Sequence, residues 1–320
     1  MTSEALERAR RWLRGNQQSP DATIEELRAW NAGSPAIPKT TITLTMVQGP
    51  GASAPGPEET PAEWVLAPDA DPDLRILYLH GGGYCIGSPA AHRNLTSRLS
   101  AVSGMSVLSL DYRLAPEHPF PAAVRDSVPA FHWMTENGPQ GPGRAKGSFV
   151  VGDSAGGGLA LSTLVKIRDL ADRQANAAIA ISPWADMTLS GESWQTRVHE
   201  DLLVSRAGSE RMIDWILPKG GRNQPLISPV FANLEDLPPL YLIAGDHEVL
   251  RDDTTRMAAL ARMMGVEVVS EVYPEMPHVF PAFPNLPETI GVMEKMGAFL
   301  REHIPASWPE QEASGTDRGN

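Results

Sequence analysis

A serine between glycines is the clearest chemical feature of this sequence. Residues 152–156, GDSAG, fit the pattern G-x-S-x-G, in which a serine lies on a tight strand-to-helix turn that lifts its hydroxyl out of a sheet. The glycines matter because the turn is strained and a Cβ beside the serine would clash. A hydroxyl held in this way can attack the carbonyl carbon of an ester.

A second glycine-rich segment lies upstream, at 80–84 (HGGGY). It follows the apolar run 74–79, so we expect it at the carboxyl end of a strand, where open α/β sheets place their ligand sites. Such a loop offers backbone N–H groups to the negative oxygen that forms when a carbonyl is attacked. Together, and in this order, the two motifs predict acyl transfer from an ester.

A serine nucleophile needs a base, and the base needs an acid to orient it. For a serine on such an elbow the acid and then the histidine follow in the chain. Four histidines follow Ser154: His199, His247, His278 and His303. We predict His278 as the base, because it lies in a loop between the last strand and the last helix. Activity should then rise as a group with a pKa near 6–7 loses its proton.

Two carboxylates compete for the role of acid. The loop after the strand predicted at 239–244 carries Asp246 and Glu248, and both could face the base. Asp252 and Asp253 follow, but they precede a helix and are better explained as residues that cap it. On the residue pattern alone the choice between Asp246 and Glu248 stays open.

The elements that must position these groups alternate along the chain. Alternation of strand and helix at this spacing predicts a mostly parallel sheet with helices on both faces. The predicted strands span 41–47, 63–67, 74–79, 105–110, 148–152, 177–182, 239–244 and 266–273, and the predicted helices span 90–103, 120–136, 154–173, 253–265 and 285–303. The first two strands should form an antiparallel pair joined by a surface loop at 49–61.

Two segments do not fit the alternation. Residues 3–30 predict two short amphipathic helices, whose apolar faces we expect to pack on a later insertion. That insertion follows residue 182 and is too long for one crossover; it is either a helical lid over the site or an excursion packed on the core.

Composition excludes several classes of protein. The chain has 320 residues and a net charge of −12, which disfavours nucleic acid and anionic membranes as partners. Its single cysteine, Cys85, permits no internal disulfide and is better explained as a buried side chain than as a catalytic thiol. We see no secretion signal or membrane span and expect a cytoplasmic protein.

The sequence resembles the bacterial hormone-sensitive lipase-like esterases, a branch of the α/β-hydrolase family. The resemblance covers about residues 40–303 and rests on four segments: 80–83 (HGGG), 111–117 (DYRLAPE), 152–157 (GDSAGG) and 273–278 (YPEMPH). It implies an α/β fold with a mostly parallel eight-stranded sheet flanked by helices, and a helical cap.

The resemblance also implies a division of the chain. The cap would comprise N-terminal helices in 1–40 and an insertion at 183–225. The catalytic core would comprise 41–182 and 226–304, and 305–320 would be a flexible tail.

The resemblance favours Glu248 over Asp246 as the acid. The family motif D-P-L-x-D aligns with residues 248–252, EVLRD, so this chain has glutamate where most relatives have aspartate. A carboxylate of either kind can orient an imidazole. The implied catalytic residues are Ser154 as nucleophile, His278 as base and Glu248 as acid.

The remaining site residues are predicted with the same mechanism. Backbone N–H groups of Gly82, Gly83 and Ala155 would form the oxyanion hole, and Tyr84, Met212, Trp215 and Val279 would contact the substrate. No cofactor or metal is implied. The partners would be a small ester and water, with a homodimer as a further possibility.

The predicted activity is therefore that of a carboxylesterase acting on short- to medium-chain acyl esters. Lactones and acetylated sugars are alternative substrates for the same motifs. A non-catalytic ligand receptor is a further alternative, disfavoured because the serine and the histidine are both present.

Overall fold

The computed structural model describes residues 4–17, 19, 21–31, 33–49 and 56–306; most of the predicted tail, 307–320, lies outside the described residues. The strands are β1 Thr41–Gln48, β2 Glu59–Leu66, β3 Asp71–Leu79, β4 Met105–Leu110, β5 Asn137–Gly138, β6 Gly141–Pro142, β7 Gly147–Asp153, β8 Ala177–Ile181, β9 Leu240–His247 and β10 Val268–Pro277. The helices are α1 Glu4–Gly15, α2 Ile24–Trp30, α3 Pro89–Ser103, α4 Ala122–Glu136, α5 Ala155–Asp169, α6 Ser193–Thr196, α7 Arg206–Ile216, α8 Arg251–Met263 and α9 Pro287–Glu302.

The strands form one mostly parallel eight-stranded sheet, as predicted, and a separate two-residue hairpin of β5 and β6. The order across the large sheet is β1-β2-β4-β3-β7-β8-β9-β10. Strand β2 runs antiparallel to β1 and β4, and the other neighbouring pairs are parallel. The carboxyl ends of β3, β7, β9 and β10, which carry the predicted site residues, therefore meet at one edge of the sheet.

Several predicted boundaries are wrong, and three differ by four residues: β2 begins at Glu59 and not at 63, β10 ends at Pro277 and not at 273, and α5 ends at Asp169 and not at 173. The loop expected at 49–61 is shorter, because β2 begins at Glu59 and pairs with β1 along its whole length. Pro61 suggested a loop because proline cannot donate to a ladder. It lies near the start of β2, and the pairing with β4 begins one residue later, at Ala62.

The core lies on both faces of the sheet. Successive residues of a strand point to opposite faces. In β3, Leu77 and Leu79 belong to an apolar cluster that includes residues of α4, α5 and α8, whereas Ile76 and Tyr78 belong to a second cluster that includes residues of α3 and α9. The parallel strands of this sheet are thus covered on both sides.

The two ends of α3 follow local sequence rules. Helix α3 begins after Ser88, whose hydroxyl accepts a hydrogen bond from the Ala91 N–H, and has Pro89 in its first turn. It ends at Gly104, which has a φ of 72°. The predicted span 90–103 lies within one residue of the observed helix.

Helix α1 packs on the core, whereas we expected the N-terminal helices to pack on the insertion. Leu6 of α1 is buried in the cluster that contains Met276 and Phe280, and the ring of Trp12 lies edge-on to Phe283, with a centroid separation of 6.4 Å. The insertion between β8 and β9 carries α6 and α7. Within the described part of the chain, no helix is both long and apolar enough to cross a membrane.

Candidate active site

The segment around Ser154 forms a sharp turn between β7 and α5. Ser154 has a φ of 53° and a ψ of −123°, a strained conformation for a residue with a side chain. The turn is so tight that a Cβ added at Gly152 would lie 2.1 Å from the carbonyl oxygen of Gly156. Glycine is needed at position 152, as predicted, because the backbone of Gly156 approaches it closely. The turn presents the Ser154 hydroxyl at the edge of the sheet.

His278 lies beside that hydroxyl. It follows the end of β10, and its Nε2 is 2.9 Å from Ser154 Oγ. The next residue, Val279, has a φ of 49° and donates its N–H to Ser182 Oγ at 3.1 Å, which fixes the turn after the histidine. His278 is almost fully buried, so bulk water does not compete for its ring nitrogens.

Glu248, and not Asp246, meets the histidine. Glu248 Oε2 is 2.6 Å from His278 Nδ1, and Oε1 accepts a hydrogen bond from the Gly245 N–H at 2.8 Å. Asp246 instead pairs with Arg197 and Arg251, each at 3.1 Å. These arginines hold its pKa below the ordinary value although partial burial raises it. The structure therefore brings Ser154, His278 and Glu248 into one hydrogen-bonded chain and leaves Asp246 outside it.

The pKa of His278 is raised above the ordinary 6.5 of a histidine. Burial lowers it, but the hydrogen bond and charge of Glu248, followed by the charges of Asp201 and Asp153, outweigh burial. An imidazole of this kind is a stronger base than a free one, and its charged form is stabilised.

The predicted oxyanion donors come from two elements at the same edge. Gly82 and Gly83 lie in the loop after β3, and both have positive φ angles, 118° and 60°. Ala155 is the first residue of α5, where backbone N–H groups have no partner within the helix. A Cβ added at Gly83 would lie 2.2 Å from the sulfur of Met212, so α7 covers this loop closely.

A buried polar network that sequence reasoning missed supports the loop. Asp153, the neighbour of Ser154, accepts hydrogen bonds from the Gly81 N–H at 3.0 Å and the Tyr78 hydroxyl at 2.6 Å, and its other oxygen is 3.6 Å from His92 Nε2. Burial raises the pKa of Asp153, but the charge of His92 and these bonds lower it by more. The net pKa is below the ordinary value, so the carboxyl is an anion.

The DYRLAPE segment also supports the loop. The Tyr112 hydroxyl donates to the carbonyl of His80 at 2.7 Å, and the two rings stack at 4.3 Å. Burial, with the nearby His92, lowers the pKa of His80 to about 3, so its ring is neutral. The spacing of this motif did not reveal these contacts, because they join residues that follow two separate strands, β3 and β4.

The four residues predicted to contact the substrate differ in exposure and in the groups that they contact. Met212 contacts the Gly83 loop, and Val279 is buried next to His278. Trp215 is partly buried, with the Arg211 guanidinium 5.3 Å from its ring centroid. Tyr84 is 4% exposed and lines a narrow cavity with Phe120 and Ile216.

Cys85 is fully buried, which raises the pKa of its thiol to about 12. A thiol in this state is protonated at neutral pH and is a poor nucleophile. The serine therefore remains the candidate nucleophile of this edge.

Comparison with known proteins gives the family. A family model described as the alpha/beta hydrolase fold matches residues 76–282. The chain is 43% identical over 241 residues to an acetyl-hydrolase of Streptomyces hygroscopicus, covering 75% of this chain and 79% of the relative.

Two solved structures are similar over almost the whole chain. A crystal structure of an esterase from the bacterial hormone-sensitive lipase family is 35% identical, with a TM-score of 0.86, and the match covers 95% of this chain and all of that one. The esterase EstE5, soaked with p-nitrophenyl butyrate, is 38% identical, with a TM-score of 0.85 over 95% of this chain and 99% of that one. This chain therefore belongs to the α/β-hydrolase family and, within it, to the bacterial hormone-sensitive lipase group of esterases.

Proposed function

We propose that this carboxylesterase cleaves short acyl esters through an acyl-enzyme on Ser154. The observation that carries the proposal is the hydrogen-bonded chain from Ser154 Oγ through both nitrogens of His278 to Glu248 Oε2, at 2.9 and 2.6 Å. Such a chain is recognised by its geometry and not by sequence position.

In the first half-reaction Ser154 Oγ attacks the carbonyl carbon, and His278 Nε2 takes the hydroxyl proton. Backbone N–H groups of Gly82, Gly83 and Ala155 stabilise the oxygen that becomes negative. When the tetrahedral intermediate collapses, His278 returns the proton to the leaving alcohol. Glu248 accepts the Nδ1–H throughout, so that Nε2 faces the serine and the imidazolium is stabilised.

In the second half-reaction water attacks the acyl group, and His278 acts as base again. The proton then passes to Ser154 as the carboxylic acid leaves. The partners are thus a small ester and water. We also propose that the chain is cytoplasmic, that it forms a homodimer and that the cap comprises 1–40 and 183–225.

The acyl group should be short, about two to eight carbons, as the family resemblance implies. Contact between Met212 and the oxyanion loop supports this, because it limits the space beside the acyl carbonyl. Rates measured on p-nitrophenyl esters from acetate to palmitate, with a lactone and an acetylated sugar in the same panel, test the substrate class. Faster cleavage of an emulsified long-chain triglyceride than of a butyrate ester would contradict it.

Replacing Met212 by alanine should widen this space. We expect the ratio of kcat/KM for octanoate to that for acetate to rise by about 10-fold, since one methylene in an apolar pocket is worth that much or more. Met263→Ala is the matched control, because Met263 is 85% exposed on α8. An unchanged ratio in Met212→Ala would remove Met212 from the acyl pocket.

The pH dependence should follow His278. Its pKa is raised above 6.5, so the imidazole takes up a proton, and activity is lost, as the pH falls through that higher value. We expect kcat/KM for p-nitrophenyl butyrate to rise through a midpoint above 6.5 and to level off in mild alkali. From the sequence alone we expected a pKa near 6–7 for the base. The contact of His278 with Glu248 raises that expected pKa. A maximum below about pH 5 would contradict a histidine base.

A further inference from the structure

Side chains from two cap segments bind the residues on either side of Glu248. The Arg10 guanidinium of α1 lies 3.1 Å from His247 Nδ1, through its Nη2. Asp201 lies in the insertion, in the segment that joins α6 to α7. Its Oδ2 accepts a hydrogen bond from the Val249 N–H at 2.9 Å. The residues before and after Glu248 are therefore each held from the cap.

Arg10 also reaches β10, the strand that ends one residue before His278. The same Nη2 donates to the carbonyl oxygen of Glu275 at 3.1 Å, and Nη1 pairs with Glu7 at 3.1 Å. The side chain of Arg10 is only 16% exposed. A planar guanidinium has donors in fixed directions, so one side chain can bind two neighbouring strands at once. Arg10 thereby joins the end of β9, next to Glu248, to the end of β10, which leads to His278.

Asp201 accepts three hydrogen bonds from backbone donors. Its Oδ1 accepts the N–H groups of Leu203 and Val204 at 2.9 and 2.8 Å, and the residue is 9% exposed. A carboxylate suits three donors, because both of its oxygens accept. An asparagine would turn an amide NH₂ toward a backbone N–H and lose one of these bonds.

Asp201 also acts on His278 through its charge. Glu248, Asp201 and Asp153 are the charged groups that raise the pKa of His278, and Ser154 faces its other nitrogen. His278 in turn lowers the pKa of Asp201, although burial raises it overall. Removal of this one charge should therefore make His278 a weaker base.

We propose that Arg10 and Asp201 are positioning residues that hold Glu248 against His278 from the cap, so that docking of both cap segments is required for full catalytic competence. The proposal rests on the function proposed above. It predicts that the cap determines the rate of the chemical step as well as the binding of substrate.

Two substitutions test it, each with a matched control. Asp201→Asn and Arg10→Gln remove the two contacts with little change of size. Asp214→Asn on α7 and Arg8→Gln on α1 are the controls, because both side chains lie in the same cap segments and are mostly exposed. Arg10→Lys is a partial rescue, since one ammonium can keep one of the two contacts, to His247 or to Glu275.

The readouts separate positioning from substrate binding. We expect kcat on p-nitrophenyl acetate to fall roughly 10-fold in Asp201→Asn and Arg10→Gln, with KM changed much less. The rate at which a small sulfonyl fluoride inactivates Ser154 should fall in parallel, because that reaction needs the base but not the substrate pocket. The midpoint of the kcat/KM profile should move to lower pH in Asp201→Asn, by about half a unit or more.

Three outcomes would overturn the proposal. Loss of thermal stability with unchanged kcat and sulfonylation rate would make both contacts merely structural. A change in KM alone would make them part of the substrate pocket. The third outcome is that Arg10→Gln lowers kcat by the same factor in the Glu248→Gln variant as in the unmodified protein. Arg10 would then not act through Glu248.

Failure of the proposed function is distinguishable from failure of this inference. If Glu248→Gln itself kept full activity, the proposed acid would be wrong. If Glu248→Gln were impaired while Asp201→Asn and Arg10→Gln matched their controls, the acid would stand and the positioning role would be wrong.

Discussion

Ser154→Ala should lower kcat on p-nitrophenyl butyrate by about 10⁶-fold, because no acyl-enzyme can form without the hydroxyl. The fold should survive, since alanine keeps the Cβ and the N–H that bonds to the Ile181 carbonyl at 2.8 Å. Circular dichroism and thermal unfolding check the fold, and initial rates over a wide range of enzyme concentration check the loss.

Ser162→Ala is the matched control for this substitution. Ser162 lies on the same helix, α5, and its buried hydroxyl bonds to the Gly158 carbonyl at 3.0 Å, away from His278. We expect near-normal kinetics with a small loss of stability, on the order of 1 kcal/mol. Residual activity of Ser154→Ala above about one-thousandth of normal, free of contaminating esterase, would exclude Ser154 as the nucleophile.

Glu248→Gln should lower kcat by about 10³–10⁴-fold while the fold is retained. The carbonyl oxygen of glutamine can accept from only one of the two groups that Glu248 serves, the Gly245 N–H and His278 Nδ1. If the glutamine oxygen keeps the bond from the Gly245 N–H, its NH₂ group faces His278 Nδ1. The ring proton of His278 must then lie on Nε2, which can no longer accept the proton of Ser154. The acid limb of the pH profile should also move to lower pH, because the charge that raises the pKa of His278 is gone.

Asp246→Asn is the control for Glu248→Gln. It breaks the pairs with Arg197 and Arg251, which are partly exposed and contribute about 1 kcal/mol or less to stability. Its kcat should stay within a few-fold of normal. A severe loss in Asp246→Asn together with full activity in Glu248→Gln would mean that the acid loop rearranges in solution and that Asp246 is the acid.

The sequence predicted those parts of the molecule that depend on neighbours in the chain. Apolar runs ending in glycine located β3 and β7, and the two motifs at their ends located the loops around Gly82 and Ser154. The start of β2 was missed because Pro61 is a loop signal whose effect depends on its strand partners.

Contacts between distant parts of the chain could not be predicted from the sequence. Arg10 lies 237 residues from His247 and 265 from Glu275 along the chain, and no local pattern links them. Asp153 occupies a variable position of the G-x-S-x-G pattern, and the pattern does not indicate that it joins Tyr78, Gly81 and His92. Between Asp246 and Glu248, residue spacing left both possible; only the fold directs one carboxylate to His278 and the other to two arginines.

The acyl-enzyme itself is the most direct test of this account. The purified chain is mixed with p-nitrophenyl butyrate, quenched in acid during turnover, digested and analysed by mass spectrometry. We expect one butyryl group on the peptide that contains Ser154, and none in Ser154→Ala. Full turnover with no acyl group on any peptide, or with the group on another residue, would contradict the mechanism.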